Sequence, residues 1–208
     1  MTPWSSPLAP AMQVQAAALA AVVPALRTDR LFLRVPRLAD FDASAAIFRS
    51  DRAVHIGRPF TIEDAWDDFC RLSAGWLLRG HGIWAVETHP RASVGFVLIG
   101  FEPGDAEPEL GWFLSDHAQG HGYATEAARA ARAYGFATLG LARLVSYVAP
   151  ANRASAHVAE RLGAGIEGQL DGSDIWVHRP VAKGAVPARA ETERRPKQDA
   201  MKTSKRGD

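Results

Sequence analysis

The chain has 208 residues, of which 47% are hydrophobic and 23% are charged, and its formal net charge is +1. These values fit one globular domain of ordinary size rather than a disordered or fibrous chain. Residues 181–208 hold 8 Lys/Arg and 4 Asp/Glu, which leaves 16 basic and 19 acidic residues for a slightly acidic body and argues against a nucleic-acid-binding domain.

Membrane, disulfide and metal chemistry are not expected. No run reaches the roughly 18 apolar residues of a membrane span, and the apolar segment 16–26 is interrupted by Pro24 and follows no Lys or Arg, so it does not read as a signal peptide. The single cysteine, Cys70, permits no intrachain disulfide, which is consistent with the cytoplasm, and its helical context predicts a buried structural thiol. No His/Cys/Asp cluster has metal-ligand spacing.

The first half of the chain predicts an arm, a strand and two helices. Residues 1–24 are rich in Ala and Pro and are predicted to form a disordered or loosely helical arm outside a single domain over 25–182. Alternation over 31–35 predicts the first strand, and the pattern over 39–49 predicts an amphipathic helix. Thr61 followed by Asp64 resembles a capping box and opens a second helix to about Leu78. Its expected core face is Trp66, Phe69, Leu72, Trp76 and Leu77.

A glycine-rich loop follows three predicted strands. The strands are 83–87, its antiparallel partner 94–101, and 109–114. Next come Gln119, Gly120, His121, Gly122, Tyr123, Ala124 and Thr125, and then an alanine-rich helix that ends near Gly140. Glycines let backbone N–H groups approach a ligand, and the start of a helix adds orphan N–H groups and a positive dipole end, so the pattern predicts a phosphate cradle. The alternative is a glycine turn that caps an ordinary helix.

A second motif follows the predicted strand 143–148. Asn152 is suited to cap a helix that Gly163 ends, and Ser155 falls in its first turn. Short strands over 167–170 and 175–178 around a turn close the domain.

The tail, residues 183–208, has almost no apolar content and is predicted to be disordered, because it cannot bury enough surface to offset its ordering entropy. A chain that ends at Lys183 is therefore expected to keep the melting temperature of the full chain. Thermal unfolding of the two chains checks this, and a drop of many degrees would show that the tail docks.

The two motifs together resemble the GNAT superfamily of acyl-CoA-dependent N-acyltransferases. The similarity covers about 26–180 and rests on Q-x-x-G-x-A over 119–124 and N-x-A-S over 152–155. The segment 26–34 is similar to the opening of the ribosomal-protein-alanine acetyltransferase-like branch. The resemblance implies an α/β (α+β) single domain with a twisted, mixed, mostly antiparallel sheet flanked by helices. Its fourth and fifth strands, here 109–114 and 143–148, are expected to splay apart.

The resemblance implies an N-acetyltransferase that moves an acetyl group from acetyl-CoA to a primary amine by direct attack. A small amine and a protein N-terminus both stay open as the acceptor, as do a monomer and a homodimer, and the slightly acidic body suits a cationic amine. Two alternatives are a non-catalytic acyl-CoA-binding sensor and a nucleotide-binding or protein-interaction module.

Site residues are carried over by motif. The pantetheine arm would pair with the backbone of Trp112, Phe113 and Leu114, and the pyrophosphate would lie on the loop residues Gln119, Gly120, His121, Gly122, Tyr123, Ala124 and Thr125. Asn152 would contact the cofactor, and Ser155 would lie near its sulfur. Relatives often have Lys or Arg in place of His121 and Phe in place of Ala164.

The catalytic roles implied are a base and a group near the leaving thiolate. Glu109 is the first candidate for the base, with an exposed strand-end carboxylate as its alternative, and Glu87 is a weaker candidate. Ser155 is the first candidate near the thiolate and Tyr147 is the second, with a packing role inside its strand as the alternative for Tyr147. The histidines beside the loop, His117 and His121, are expected to contact phosphate or solvent.

Overall fold

Eight strands form one sheet in the computed structural model, which describes residues 6–56, 61–102 and 104–180. The spatial order is β1-β2-β3-β4-β5-β6-β8-β7. The strands are β1 (Leu26–Arg27), β2 (Leu31–Arg34), β3 (Ile83–Thr88), β4 (Ser93–Gly100), β5 (Glu109–Leu114), β6 (Leu144–Val148), β7 (Gly165–Leu170) and β8 (Ser173–His178).

The sheet splits between β5 and β6. These two strands are parallel and share one register pair, Glu109 with Val145, whereas the other neighbouring strands pair antiparallel. By contrast, β4 and β5 stay in register from Gly95–Leu114 through Gly100–Glu109. The predicted mixed sheet with splayed strands is therefore confirmed, and the split leaves one edge of β5 without a strand partner.

Helices cover both faces of the sheet. They are α1 (Pro10–Ala20), α2 (Phe41–Phe48), α3 (Ile62–Arg79), α4 (Tyr123–Ala137) and α5 (Arg153–Arg161). Small residues on α4 and apolar residues on α5 pack in one core cluster with the sheet, and α2 and α3 pack in another. The small-residue face of α4 is required, because a Cβ at Gly135 would lie 2.9 Å from Ile99 Cδ1. This close packing holds α4 against the sheet.

Two predictions on α3 are wrong. Thr61 and Asp64 form the expected capping box, and Phe69, Leu72 and Trp76 are buried, but Leu77 is 66% exposed. Leu77 is turned by about 100° from Trp76, which carries it off the buried face. Cys70 is also exposed, because it follows Phe69 around the helix in the same way.

The predicted arm contains α1, which buries no residue. Its connection to the domain does touch the core, since Trp84 Nε1 donates to the Pro24 carbonyl at 2.8 Å. The tail 183–208 lies outside the described residues, so the domain limits 25–182 stay a prediction. Across 6–56, 61–102 and 104–180, no helix is both long and apolar enough to cross a membrane.

Candidate active site

A cleft of about 910 Å³ opens where β5 and β6 separate. Trp112, Phe113 and Leu114 line it from β5, the glycine-rich loop 119–125 lines it from the start of α4, and residues 151–155 line it from the start of α5. The volume lies within the range of small-molecule and cofactor sites. The structure therefore brings together all of the residues that the two motifs proposed for the cofactor.

The loop presents unpaired backbone N–H groups. Gly120 and Gly122 have φ of +75° and +77°, and Gly122 is the N-cap of α4 with no side-chain cap. Within the part of the chain that is described, the N–H groups of residues 120–122 donate to no backbone carbonyl. A Cβ at Gly120 would meet nothing within 4 Å, and one at Gly122 would meet only Arg30 Nη2, at 3.6 Å. The glycines are thus required for their positive φ rather than by crowding, and the loop offers donors to an anion.

The loop is held from outside by the turn between β1 and β2. Arg30 Nη1 donates to the His121 carbonyl at 3.0 Å, and its Nε donates to Glu126 Oε2 at 2.7 Å. Thr28 Oγ1 donates to Glu126 Oε1 at 2.5 Å. Because the C=O and N–H of one peptide point in opposite directions, this contact turns the Gly122 N–H away from Arg30.

Glu126 and Arg30 were missed by the sequence analysis, because they are 96 residues apart and neither belongs to the cofactor motif. Burial of Glu126 opposes ionisation, but hydrogen bonds from Thr28 and Arg30 hold the pKa of its carboxyl below the ordinary value. The Glu126 carboxylate therefore stays ionised, and it forms an ion pair with Arg30.

Positive charge dominates the cleft. Glu126 is its one carboxylate among the described lining residues, and it is ion-paired to Arg30. The basic lining residues are Arg30, Arg129, Arg153, Arg161, His55, His121 and His157. His121 stacks on Tyr123 with 5.4 Å between ring centroids, and the Arg30 guanidinium lies 5.0 Å from the centroid of the same ring. Arg30 thus supplies a cation beside His121 of the loop, and a polyanion would be attracted here.

Asn152 and Ser155 meet at the start of α5. The predicted N-cap is confirmed, since Asn152 Oδ1 accepts from the Ser155 N–H at 3.1 Å. Ser155 is half-buried and lines the cleft, and its Oγ makes no hydrogen bond to the rest of the described chain. A hydroxyl that is free of partners at the positive end of a helix can donate to a developing negative charge.

Glu109 and Tyr147 do not line this cleft but lie at the base of the split. Glu109 begins β5 as predicted. Burial, assisted by the nearby carboxylates of Glu102 and Asp105, raises the pKa of Glu109 to about 8, and the Tyr147 backbone on β6 opposes that rise. Burial also raises the pKa of Tyr147, and the backbone of Ala106 opposes that rise.

The other ionisable candidates are engaged elsewhere. Glu87 is buried and accepts from Arg34 Nε at 2.8 Å and Nη2 at 2.5 Å, so it serves an internal ion pair and not the cleft. His117 Nε2 lies 3.1 Å from the Ser93 carbonyl. Over the described ranges, no group of three or more His, Cys, Asp or Glu side chains is arranged to hold a metal ion.

Comparison with known proteins gives consistent relatives. A model of the acetyltransferase (GNAT) domain matches residues 30–165. An acetyltransferase from Agrobacterium tumefaciens str. C58 is 38% identical over 76% of this chain and 95% of its own, with a TM-score of 0.73. The ribosomal L7/L12 alpha-N-protein acetyltransferase RimL, solved in complex with coenzyme A, shares the fold with a TM-score of 0.59 at 18% identity, over 74% of this chain and 97% of its own.

A curated relative matches over a shorter stretch. The uncharacterized N-acetyltransferase YnaD of Bacillus subtilis (strain 168) is 37% identical over 65 residues, which is 31% of this chain. The match spans 38% of YnaD, so it covers well under two thirds of that relative's length.

Proposed function

The chain belongs to the acetyltransferase (GNAT) family, and we propose that it transfers an acetyl group from acetyl-CoA to a primary amine. The observation that carries the proposal is the cleft, in which a loop of free N–H groups and a surplus of arginines adjoin the open edge of β5. A polyanion joined to an extended arm fits this arrangement. The complex of RimL, which shares the fold, with coenzyme A supports the choice of donor.

The donor would lie along two elements. Its pyrophosphate would accept hydrogen bonds from the loop over 119–125, because the N–H groups of residues 120–122 donate to no backbone carbonyl in the described part of the chain. Its pantetheine arm would take the place of a strand beside Trp112, Phe113 and Leu114. Asn152 and Ser155, at the start of α5, would border the thioester end.

In the proposed step the amine nitrogen attacks the thioester carbonyl carbon, a C–N bond forms and the C–S bond breaks. Glu109 takes the proton from the amine, directly or through water, and the electron pair of the broken bond leaves on sulfur as a thiolate. Ser155 Oγ–H donates to that thiolate. Ser155 is preferred to Tyr147 because Ser155 lines the cleft and Tyr147 does not. Glu102 and Asp105 beside Glu109 favour a cationic acceptor.

The pH dependence of the rate should report Glu109. The base is the ionised carboxylate, so a pKa of about 8 predicts that kcat rises as the pH passes through about 8. Glu109→Gln should lower kcat and remove this step, with partial recovery at high pH, where more of the amine is neutral. Glu107→Gln is the matched control, because Glu107 is paired with Arg143 at 2.7 Å. Equal pH–rate profiles for wild type and Glu109→Gln would exclude Glu109 as the base.

Calorimetry separates the proposal from its alternatives. Wild type is titrated with acetyl-CoA, coenzyme A and adenosine 3′,5′-bisphosphate, which lacks the pantetheine arm and one phosphate of the pyrophosphate. We expect acetyl-CoA and coenzyme A to bind more tightly than the bisphosphate, because the arm would add backbone contacts along β5 and the complete pyrophosphate would add contacts to the loop. Equal affinity for the bisphosphate would favour a nucleotide-binding module.

We also propose that the acceptor is a small amine or a peptide N-terminus, that the protein is a monomer or a homodimer, and that it is cytoplasmic.

A further inference from the structure

The parallel ladder between β5 and β6 stops after its first register pair. Val145 N–H donates to the Pro108 carbonyl at 3.0 Å, so the backbone groups of Pro108, Leu110 and Trp112 face β6 by strand alternation. A regular parallel ladder would next join the Tyr147 N–H to the Leu110 carbonyl. The strands have no register pair at that level, and the Leu110 carbonyl takes a side-chain partner instead.

Ser146 supplies the partner of Leu110. Its Oγ donates to the Leu110 carbonyl at 2.6 Å and lies 3.0 Å from His178 Nε2. The hydroxyl has one proton and gives it to Leu110, so it must accept from the Nε2–H of a neutral His178. Ser146 is 2% exposed and His178 is fully buried, and burial lowers the pKa of His178 to about 4, which keeps the ring neutral.

On the other side of the missing bond, the Tyr147 backbone lies near the Glu109 carboxyl and opposes the rise of its pKa. The Leu110 carbonyl is thus capped by a hydroxyl, and the ladder does not continue past its first register pair. Trp112, the next residue of β5 whose backbone faces β6, is left open beside the cleft.

We propose that Ser146 and His178 are positioning residues that end the β5–β6 ladder at Leu110 and hold open the slot for the pantetheine arm. This inference rests on the proposed function only for the identity of the arm. Neither side chain touches the donor in the proposal, because both are buried behind the split. Their effect is to keep Leu110 from pairing with Tyr147, so that the backbone of Trp112 stays available to a ligand.

Removal of the hydroxyl tests the proposal. In Ser146→Ala the Leu110 carbonyl loses its partner, and Tyr147 N–H is the donor that a regular ladder would bring to it. Extension of the ladder would then compete with the pantetheine arm. His178→Phe removes the donor to Ser146, and His178→Gln offers an N–H in its place. Ser44→Ala is the matched control, because Ser44 is fully buried in α2 and its Oγ lacks a hydrogen-bond partner among the described residues.

Affinities are measured by calorimetry for coenzyme A and for adenosine 3′,5′-bisphosphate. Ser146→Ala is expected to lower the affinity for coenzyme A by about tenfold, the equivalent of one hydrogen bond. It should change the affinity for the bisphosphate by no more than about twofold. His178→Gln should lose less affinity for coenzyme A than His178→Phe, and Ser44→Ala should bind both ligands with the affinity of wild type. Equal loss for both ligands, or no loss for coenzyme A, would overturn the proposal.

Amide exchange in the protein without ligand provides a readout that does not depend on the donor. The Trp112 amide should exchange fast in wild type and more slowly in Ser146→Ala, as the ladder extends. Unchanged exchange at Trp112 would contradict the inference even if the affinities shift. If wild type binds no coenzyme A, the proposed function fails, while a slowed Trp112 amide in Ser146→Ala would still support the ladder-ending role.

Discussion

Replacement of Gly122 by glutamate is expected to abolish the binding of acetyl-CoA, with a loss of about 100-fold or more. Gly122 caps α4 with φ of +77°, and its N–H is one of the free donors of the loop. A side chain here strains the backbone by about 1–2 kcal/mol and places a carboxylate where the proposed pyrophosphate would lie. The fold should persist, because a Cβ at this position has Arg30 as its only close neighbour.

Gly140→Glu is the matched control for this variant. Gly140 has φ of +69° with nothing within 4 Å of a Cβ, and it follows the opposite end of α4. Both variants add the same charge and the same kind of backbone strain, so their melting temperatures should fall by similar amounts. Calorimetry should find acetyl-CoA binding lost in Gly122→Glu and retained in Gly140→Glu. Equal affinities in the two variants would remove the phosphate role from the loop.

Ser155→Ala is expected to lower kcat by about tenfold or more with little change in the affinity for acetyl-CoA. The reason is that the Ser155 hydroxyl, which has no hydrogen-bond partner among the described residues, stabilises the thiolate only as charge develops on sulfur. The helix cap survives the substitution, because Asn152 accepts from the backbone N–H of residue 155 and not from its side chain. Steady-state rates with saturating acetyl-CoA and separate binding measurements distinguish the two effects.

Ser50→Ala is the control for Ser155→Ala. Ser50 also lines the cleft, but its Oγ donates to the Ile47 carbonyl at 2.7 Å and is not free. Ser50→Ala should therefore keep kcat near that of wild type. If Ser155→Ala also keeps the wild-type kcat, the thiolate is stabilised by solvent or by another group.

The features that the sequence predicted are those encoded by neighbouring residues. The glycine loop, the Asn152 cap and the Thr61 capping box each involve residues within a few positions of one another, so residue type and spacing were sufficient. The predicted burial of Leu77 and Cys70 is wrong, because periodicity defines a buried face only to within a fraction of a turn. Such errors concern the edges of a helix face rather than its existence.

The features that the sequence did not predict depend on pairs far apart in the chain. Arg30 reaches Glu126 across 96 residues, and Ser146 reaches His178 across 32. Neither pair has a spacing rule, because the contact exists only after β1, α4, β6 and β8 have taken their places in the sheet. The sequence placed Glu109 at the start of its strand, but only the structure shows that burial raises the pKa of its carboxyl.

The most direct test of the acetyltransferase proposal is the release of thiol from acetyl-CoA in the presence of a broad panel of primary amines and short peptides. Free coenzyme A and acetylated amine are measured together, the first by thiol titration and the second by mass spectrometry. The account predicts that at least one amine releases thiol in equal amount to its acetylated product, and that Gly140→Glu does so and Gly122→Glu does not. Tight binding of acetyl-CoA without thiol release for any amine would contradict catalysis and identify a sensor.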